Sequence, residues 1–121
     1  MKNALLSLLL FGLLLSSCQK TNDKNPALFG QWQGTSWLIF DKPSEIDASQ
    51  VHFEFKGEGA YSAQFGKQSE QGLWRTEKDK LYTTAEGKKE IMVKLLRVDS
   101  ILRFEMNRGG QKETLELAKK K

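Results

Sequence analysis

Alternation with a period of two dominates the chain from Leu28 onward. In "VHFEF", Val51, Phe53 and Phe55 alternate with His52 and Glu54, the pattern of a strand with one face in a core and the other in water. "AYSAQF" repeats it with Tyr61, Ala63 and Phe65. "ILRFEMNR" sets Leu102, Phe104 and Met106 against Arg103, Glu105 and Asn107, and "TLELAK" adds Leu115 and Leu117. The pattern predicts strands near residues 31–40, 49–56, 60–66, 70–76, 80–85, 90–98, 101–108 and 111–118. The breaks "GEG", "GKQS", "EKD", "EGKK", "DS" and "RGGQ" are short and rich in Gly, Asp or Lys, as hairpin connections are. Only "DKPSEIDA", residues 41–48, is longer, and Glu45 to Ala48 has room for one helical turn. No segment keeps a 3.6-residue period over ten residues.

Short antiparallel strands joined in order twist, and closure removes the exposed edges of the sheet. The predicted fold is all-β, an eight-stranded up-and-down barrel; a two-sheet β-sandwich uses the same alternation and stays as the alternative. The inward set is Trp32, Leu38, Phe40, Phe53, Phe55, Tyr61, Phe65, Trp74, Leu95, Phe104 and Met106, with Gly34, Ser36, Ala63, Gly72 and Thr83 as smaller members. Trp37 and Tyr82 fall on the outside. A barrel of this size is just wide enough to be filled by side chains or to hold one small ligand. The long aromatic list favours filling, with room for a modest apolar pocket lined by Phe53, Phe55, Tyr61, Trp74, Phe104 and Met106.

The N-terminal pattern is different. Lys2 precedes an apolar run from Ala4 to Leu15, followed by Ser16 and Ser17. The run is shorter than the ~20 residues a membrane-crossing helix needs and fits the hydrophobic region of a signal peptide. Next comes Cys18, the single cysteine of the chain. "LSSC", Leu15 to Cys18, resembles the lipobox of bacterial lipoproteins. That resemblance implies removal of residues 1–17, a diacylglyceryl thioether on Cys18 and a palmitate-type acyl group on its nitrogen. Each buried methylene adds about 0.8 kcal/mol of membrane affinity, so three chains hold where one binds only reversibly. "QKTNDKNP", residues 19–26, is polar and aperiodic, and is expected to be an unstructured tether. The expected organisation is signal peptide 1–17, lipidated Cys and tether 18–26, and barrel domain 27–121. Gln19 in place of Asp after the Cys implies, by the same resemblance, the outer membrane, with the periplasmic face favoured over the cell surface.

"LFGQWQGTSW" is similar to the opening strand of lipocalins and of the small lipocalin-like domains of bacterial lipoproteins. Gly30 and Trp32 occupy the Gly-x-Trp positions, and the likeness covers roughly residues 27 to 119. It implies a barrel closed at one end by Trp32 and the binding of a small hydrophobic ligand. A residue without Cβ at Gly30 lets the chain bend into the barrel, and Trp32 supplies a large apolar plate. One departure stands out. Lipocalins commonly pack an arginine of the last strand over the motif tryptophan, and here the last strand has only lysines.

Candidate chemistry narrows the picture further. His52, the one histidine, lies on the predicted outer face, and the one thiol is committed to lipid. Glu54, Glu58, Glu70 and Glu105 fall on outward positions or turns. No catalytic constellation, metal site or cofactor is implied, and "GGQ" at Gly109 to Gln111 reads as a hairpin turn. The chain carries 19 basic and 15 acidic side chains, net +4. Loss of residues 1–17 removes Lys2 alone, and a balance this mild is not a nucleic-acid footprint. Lys119 to Lys121 read as a solvated tail. Two functions follow. One is a binding lipoprotein for a small apolar molecule. The alternative is a filled barrel acting as a protein-interaction or inhibitor module, gripping an envelope partner through the 41–48 loop, Trp37 and Tyr82.

Overall fold

The computed structural model describes residues 23–121. Cys18 and residues 1–17, where a signal peptide is expected, lie outside the described residues. The chain forms β1 (Gly30–Ile39), β2 (Lys42–Pro43), β3 (Val51–Phe55), β4 (Ala60–Phe65), β5 (Gln68–Glu77), β6 (Lys80–Ala85), β7 (Ile91–Val98), β8 (Ile101–Arg108) and β9 (Gln111–Lys119). Neighbours pair antiparallel in chain order, and β1 also pairs with β9, so eight strands close into an up-and-down barrel. The extra strand, β2, is a two-residue return paired to the end of β1. The barrel is the predicted architecture, and the sandwich is set aside. The helical turn expected at Glu45 to Ala48 is displaced along the chain: a 3-10 turn forms at Ala48–Gln50, capped by the Asp47 side chain.

The first strand departs from the expected alternation, for a local reason. Gly34 pairs with Leu117 and Ser36 with Glu116, so Thr35 is an extra residue without a partner on β9. Such a bulge reverses which parity faces inward. Before it, Trp32 and Gly34 are buried; after it, Trp37 is buried and Leu38 is only half-buried. Phe40 leaves the strand at a turn (φ 50) and is 57% exposed. Three assignments are thereby corrected: Trp37 is inside, whereas Leu38 and Phe40 are not core. A second bulge at Leu96 lets Leu95 pair with Phe104 and Val98 with Leu102, and it leaves Leu96 exposed.

β1 pairs with β3 only from Gly30 to Gln33, yet with β9 from Trp32 to Ile39. The gap beyond Gln33 is occupied by the 44–50 segment, whose Ala48 belongs to the core. A Cβ at Gly34 would stand 2.1 Å from the Ala48 carbonyl oxygen, so only glycine admits this approach. Opposite, Pro26–Leu28 forms a 3-10 turn that drives Leu28, fully buried, into the other end of the barrel.

The described end of the segment expected to be a tether is fastened to the barrel. The Asp23 carbonyl accepts the Thr76 amide at 2.6 Å, and the Asn25 amide donates to Thr76 Oγ1 at 2.9 Å. A buried threonine on β5 thus holds residues that were expected to be unstructured. The expectation for Gly34 is direct: Gly34→Ala overpacks against backbone that cannot rotate away, costing about 1–3 kcal/mol. Thermal unfolding of Gly34→Ala should fall by roughly 5–20 °C, whereas Gln33→Ala beside it should lie within a few degrees of wild type.

Candidate functional site

Of the predicted lining residues, Phe53, Phe55, Tyr61, Trp74 and Phe104 are buried, and Met106 packs partly buried against them. Alternation on β3, β4, β5 and β8 brings them together, and their rings touch. Phe53 stacks on Phe55 with centroids 5.6 Å apart and meets Phe104 edge-on at 5.8 Å. Phe55 meets Trp74 at 5.2 Å and Tyr61 at 6.3 Å. These are the separations of optimal aromatic pairs. The six side chains occupy the middle of the barrel by filling it with one another.

Gly30 and Trp32 sit at the start of β1, where the chain turns from the Leu28 plug into the wall. Gly30 adopts φ +119, a region open to glycine. Trp32 is fully buried, and its Nε1 donates to the Leu28 carbonyl at 2.9 Å. Lys119 Nζ stands 5.4 Å from the Trp32 ring centroid. A lysine of the last strand therefore covers this tryptophan, at cation–π range.

Two carboxylates inside the barrel escaped the sequence reading. Glu70 was expected on the outer surface, but it pairs with Ala63 and so shares the inner face. Its Oε2 accepts the Tyr61 hydroxyl at 2.6 Å. Burial, and after it this bond to Glu70, pushes the Tyr61 phenol well above the ordinary tyrosine range. Glu113 is 2% exposed and accepts the Trp37 indole N–H at 2.8 Å. The Arg108 guanidinium reaches it from solvent at 3.6 Å. Period-two reading of "QKETLEL" places Glu113 inward with Leu115 and Leu117, so its position was legible; its partner was hidden by the bulge.

Because side chains fill the interior, the recesses are on the outside. One, of about 350 Å³, lies where β5 meets β6 and is lined by Leu73, Trp74, Arg75, Tyr82 and Glu90, with Lys24 of the N-terminal segment. Arg75 lies over the Tyr82 ring at 3.9 Å and makes a two-pronged bond to Glu90, Nε to Oε2 at 3.1 Å and Nη2 to Oε1 at 3.0 Å. Around it Leu73 is 66% and Met92 50% exposed. Tyr82 does face outward, as expected.

The other recess is an open groove of about 830 Å³ across β1, β3, β4 and β5, ending near Lys120 on one side and Lys88 on the other. Its floor is built by register. Gln31 pairs with Glu54, Glu54 with Ser62 and Ser62 with Gln71, giving one polar rung from each strand. His52, Gln64 and Ser69 make the adjacent row. His52 is thus on the outer face, as expected, but within a recess. The pattern joins residues from four strands, so no single stretch of sequence displays it.

No family model matches the chain, and no curated protein matches it. Among solved structures it is similar to an uncharacterized protein from Bacteroides eggerthii DSM 20697. The TM-score is 0.56 and the identity 16%, covering 74% of this chain and 98% of that one. At that identity the likeness shows the fold.

The buried groups make two predictions. Glu113→Ala strands the Trp37 N–H in the core and should cost about 1–3 kcal/mol in chemical denaturation, whereas Arg108→Ala, losing a solvent-exposed pair, should cost at most ~1 kcal/mol. Raising the Tyr61 pKa on folding contributes stability that is present below about pH 10, the ordinary tyrosine value, and lost as pH climbs past it. Tyr61→Phe lacks that component, so its melting temperature should decline less than that of wild type between about pH 9 and 11.

Proposed function

We propose that this protein is an envelope lipoprotein, held to the membrane by acyl chains on Cys18, whose filled barrel works through its outer surface on a protein partner. The observation that carries this reading is the interior. Five aromatic side chains stack on one another there, and a ligand would have to displace them. An occupied core turns recognition outward.

The surface around Arg75 supports the same reading. Arg, Tyr and Met are enriched at protein interfaces and, for Arg and Tyr, at their energetic centres. Arg75 is already oriented by Glu90 and Tyr82, so little conformational freedom remains to be lost on binding. Trp37 and Ala48 are buried in the fold and are not available for that contact. Among the described residues no helix is long and apolar enough to cross a membrane, and the lipobox resemblance at Leu15 to Cys18 supplies the proposed attachment. The reading with a small apolar ligand rests on the same aromatic cluster and requires it to open.

Three measurements test the proposal. Intact-mass analysis of protein purified from membranes should give a chain starting at Cys18 and heavier by its acyl groups; an unmodified thiol sinks the anchor. Affinity capture by the tagged full-length protein should recover an envelope protein that Leu73→Asp and Met92→Asp each lose at least about tenfold; recovery indifferent to both argues against this surface. Palmitate, haem and a quinone should leave tryptophan fluorescence without a saturable change, and saturation by any of them would favour the ligand-binding reading.

A further inference from the structure

The groove across β1, β3, β4 and β5 has a polar floor. Elsewhere on the wall charged side chains pair with each other, as Arg75 does with Glu90 and Arg103 with Glu116. In the groove floor the row is Gln31, Glu54, Ser62 and Gln71, carrying a single fixed charge, and it is flanked by Lys120 beside Gln31 and Glu86 beside Gln71. Among the described residues Ser62 and Gln71 make no side-chain hydrogen bond, and Gln31 makes only a long one of 3.5 Å to Glu54. These amides and hydroxyls offer donors and acceptors together. At about 830 Å³ the recess is of the size that holds a bound molecule.

Resting on the reading that this barrel binds with its outside, we propose that the groove binds an extended, uncharged, β-linked glycan chain lying across the strands. Each alternative ligand meets a mismatch. The apolar residues along the groove, Trp32, Phe53, Ala63 and Ala85, are buried, which leaves little for a lipid. Its basic residues, Lys88 and Lys120, stand only at its ends, and Glu54 between them repels a phosphate or a polyanion. An extended peptide would need a free strand edge, but β1, β3 and β4 are paired on both sides where they carry the floor. A neutral sugar matches, because each of its hydroxyls is at once donor and acceptor, like the side chains facing it. Spacing supplies the second argument. Neighbouring strands are ~4.8 Å apart, nearly the advance of one sugar unit along an extended β-linked chain. One rung per sugar follows, with Gln31 and Gln71 at the two ends of the row and Glu54 accepting from hydroxyls between them.

The test is calorimetric titration of the full-length protein, in a polyoxyethylene detergent that carries no sugar, with cellotetraose and chitotetraose. At least one should bind, and Gln31→Ala and Gln71→Ala should each weaken it by about fivefold or more with unchanged melting temperature. The double variant guards against compensation and should abolish measurable binding. Maltotetraose, which coils, and tetragalacturonate, which is charged, should bind at least tenfold more weakly. Leu73→Asp, on the other recess, should leave the sugar affinity unchanged while lowering protein capture, so the two surfaces fail or stand separately. No heat with either β-linked tetramer overturns the proposal. So do affinity indifferent to the double variant and equal affinity for maltotetraose or tetragalacturonate.

Discussion

Closure of β1 onto β9 is the constraint that shapes this molecule. β1 must run beside β9 from Trp32 to Ile39 while keeping β3 for only its first four residues. One strand cannot satisfy both neighbours and stay straight. The extra residue at Thr35 supplies the bend, and its consequences spread. Trp37 turns inward and meets Glu113, Phe40 is thrown out, and the opening beside β3 is filled by Ala48 against Gly34. The polar pair inside the barrel is a product of closure as much as of composition.

That history explains what could be read from the chain and what could not. β3, β4 and β8 keep strict alternation, and their inward residues were legible because no bulge interrupts them. The hairpins were legible too, since Gly, Asp and Lys mark each reversal. β1 misled because a bulge has no clear signature in "QGTSWLIF": Gly34 reads as another small inward residue, and parity is counted through it unbroken. Glu70 misled for a related reason. An acidic residue near a turn is ordinarily solvated, and only pairing with Ala63 turns it inward, where the Tyr61 hydroxyl satisfies it. The groove is a property of register among four strands, which no linear pattern contains.

The aromatic residues do come together in the barrel, and their packing changes what they mean for function. Residues read as lining for a pocket touch at the distances of a finished core. Small barrels have a narrow margin between cavity and core, because one or two bulky side chains decide whether space remains. Here Phe53, Phe55 and Trp74 take that space, and both ends are stopped, by Leu28 and by the 44–50 segment. Such a scaffold offers a rigid outer wall, on which side chains held by strand register are placed more accurately than on loops.

The clasp between the N-terminal segment and Thr76 carries a mechanical consequence. Any force applied to the chain upstream of Asp23 enters the barrel at β5 before it reaches β1, since the Asp23 carbonyl and the Asn25 amide are fastened there. β5 is flanked by β4 and β6, so the load spreads into an interior strand and stretches its ladders in parallel. Peeling of the first strand, the weak direction for a closed sheet, is deferred until the clasp gives way.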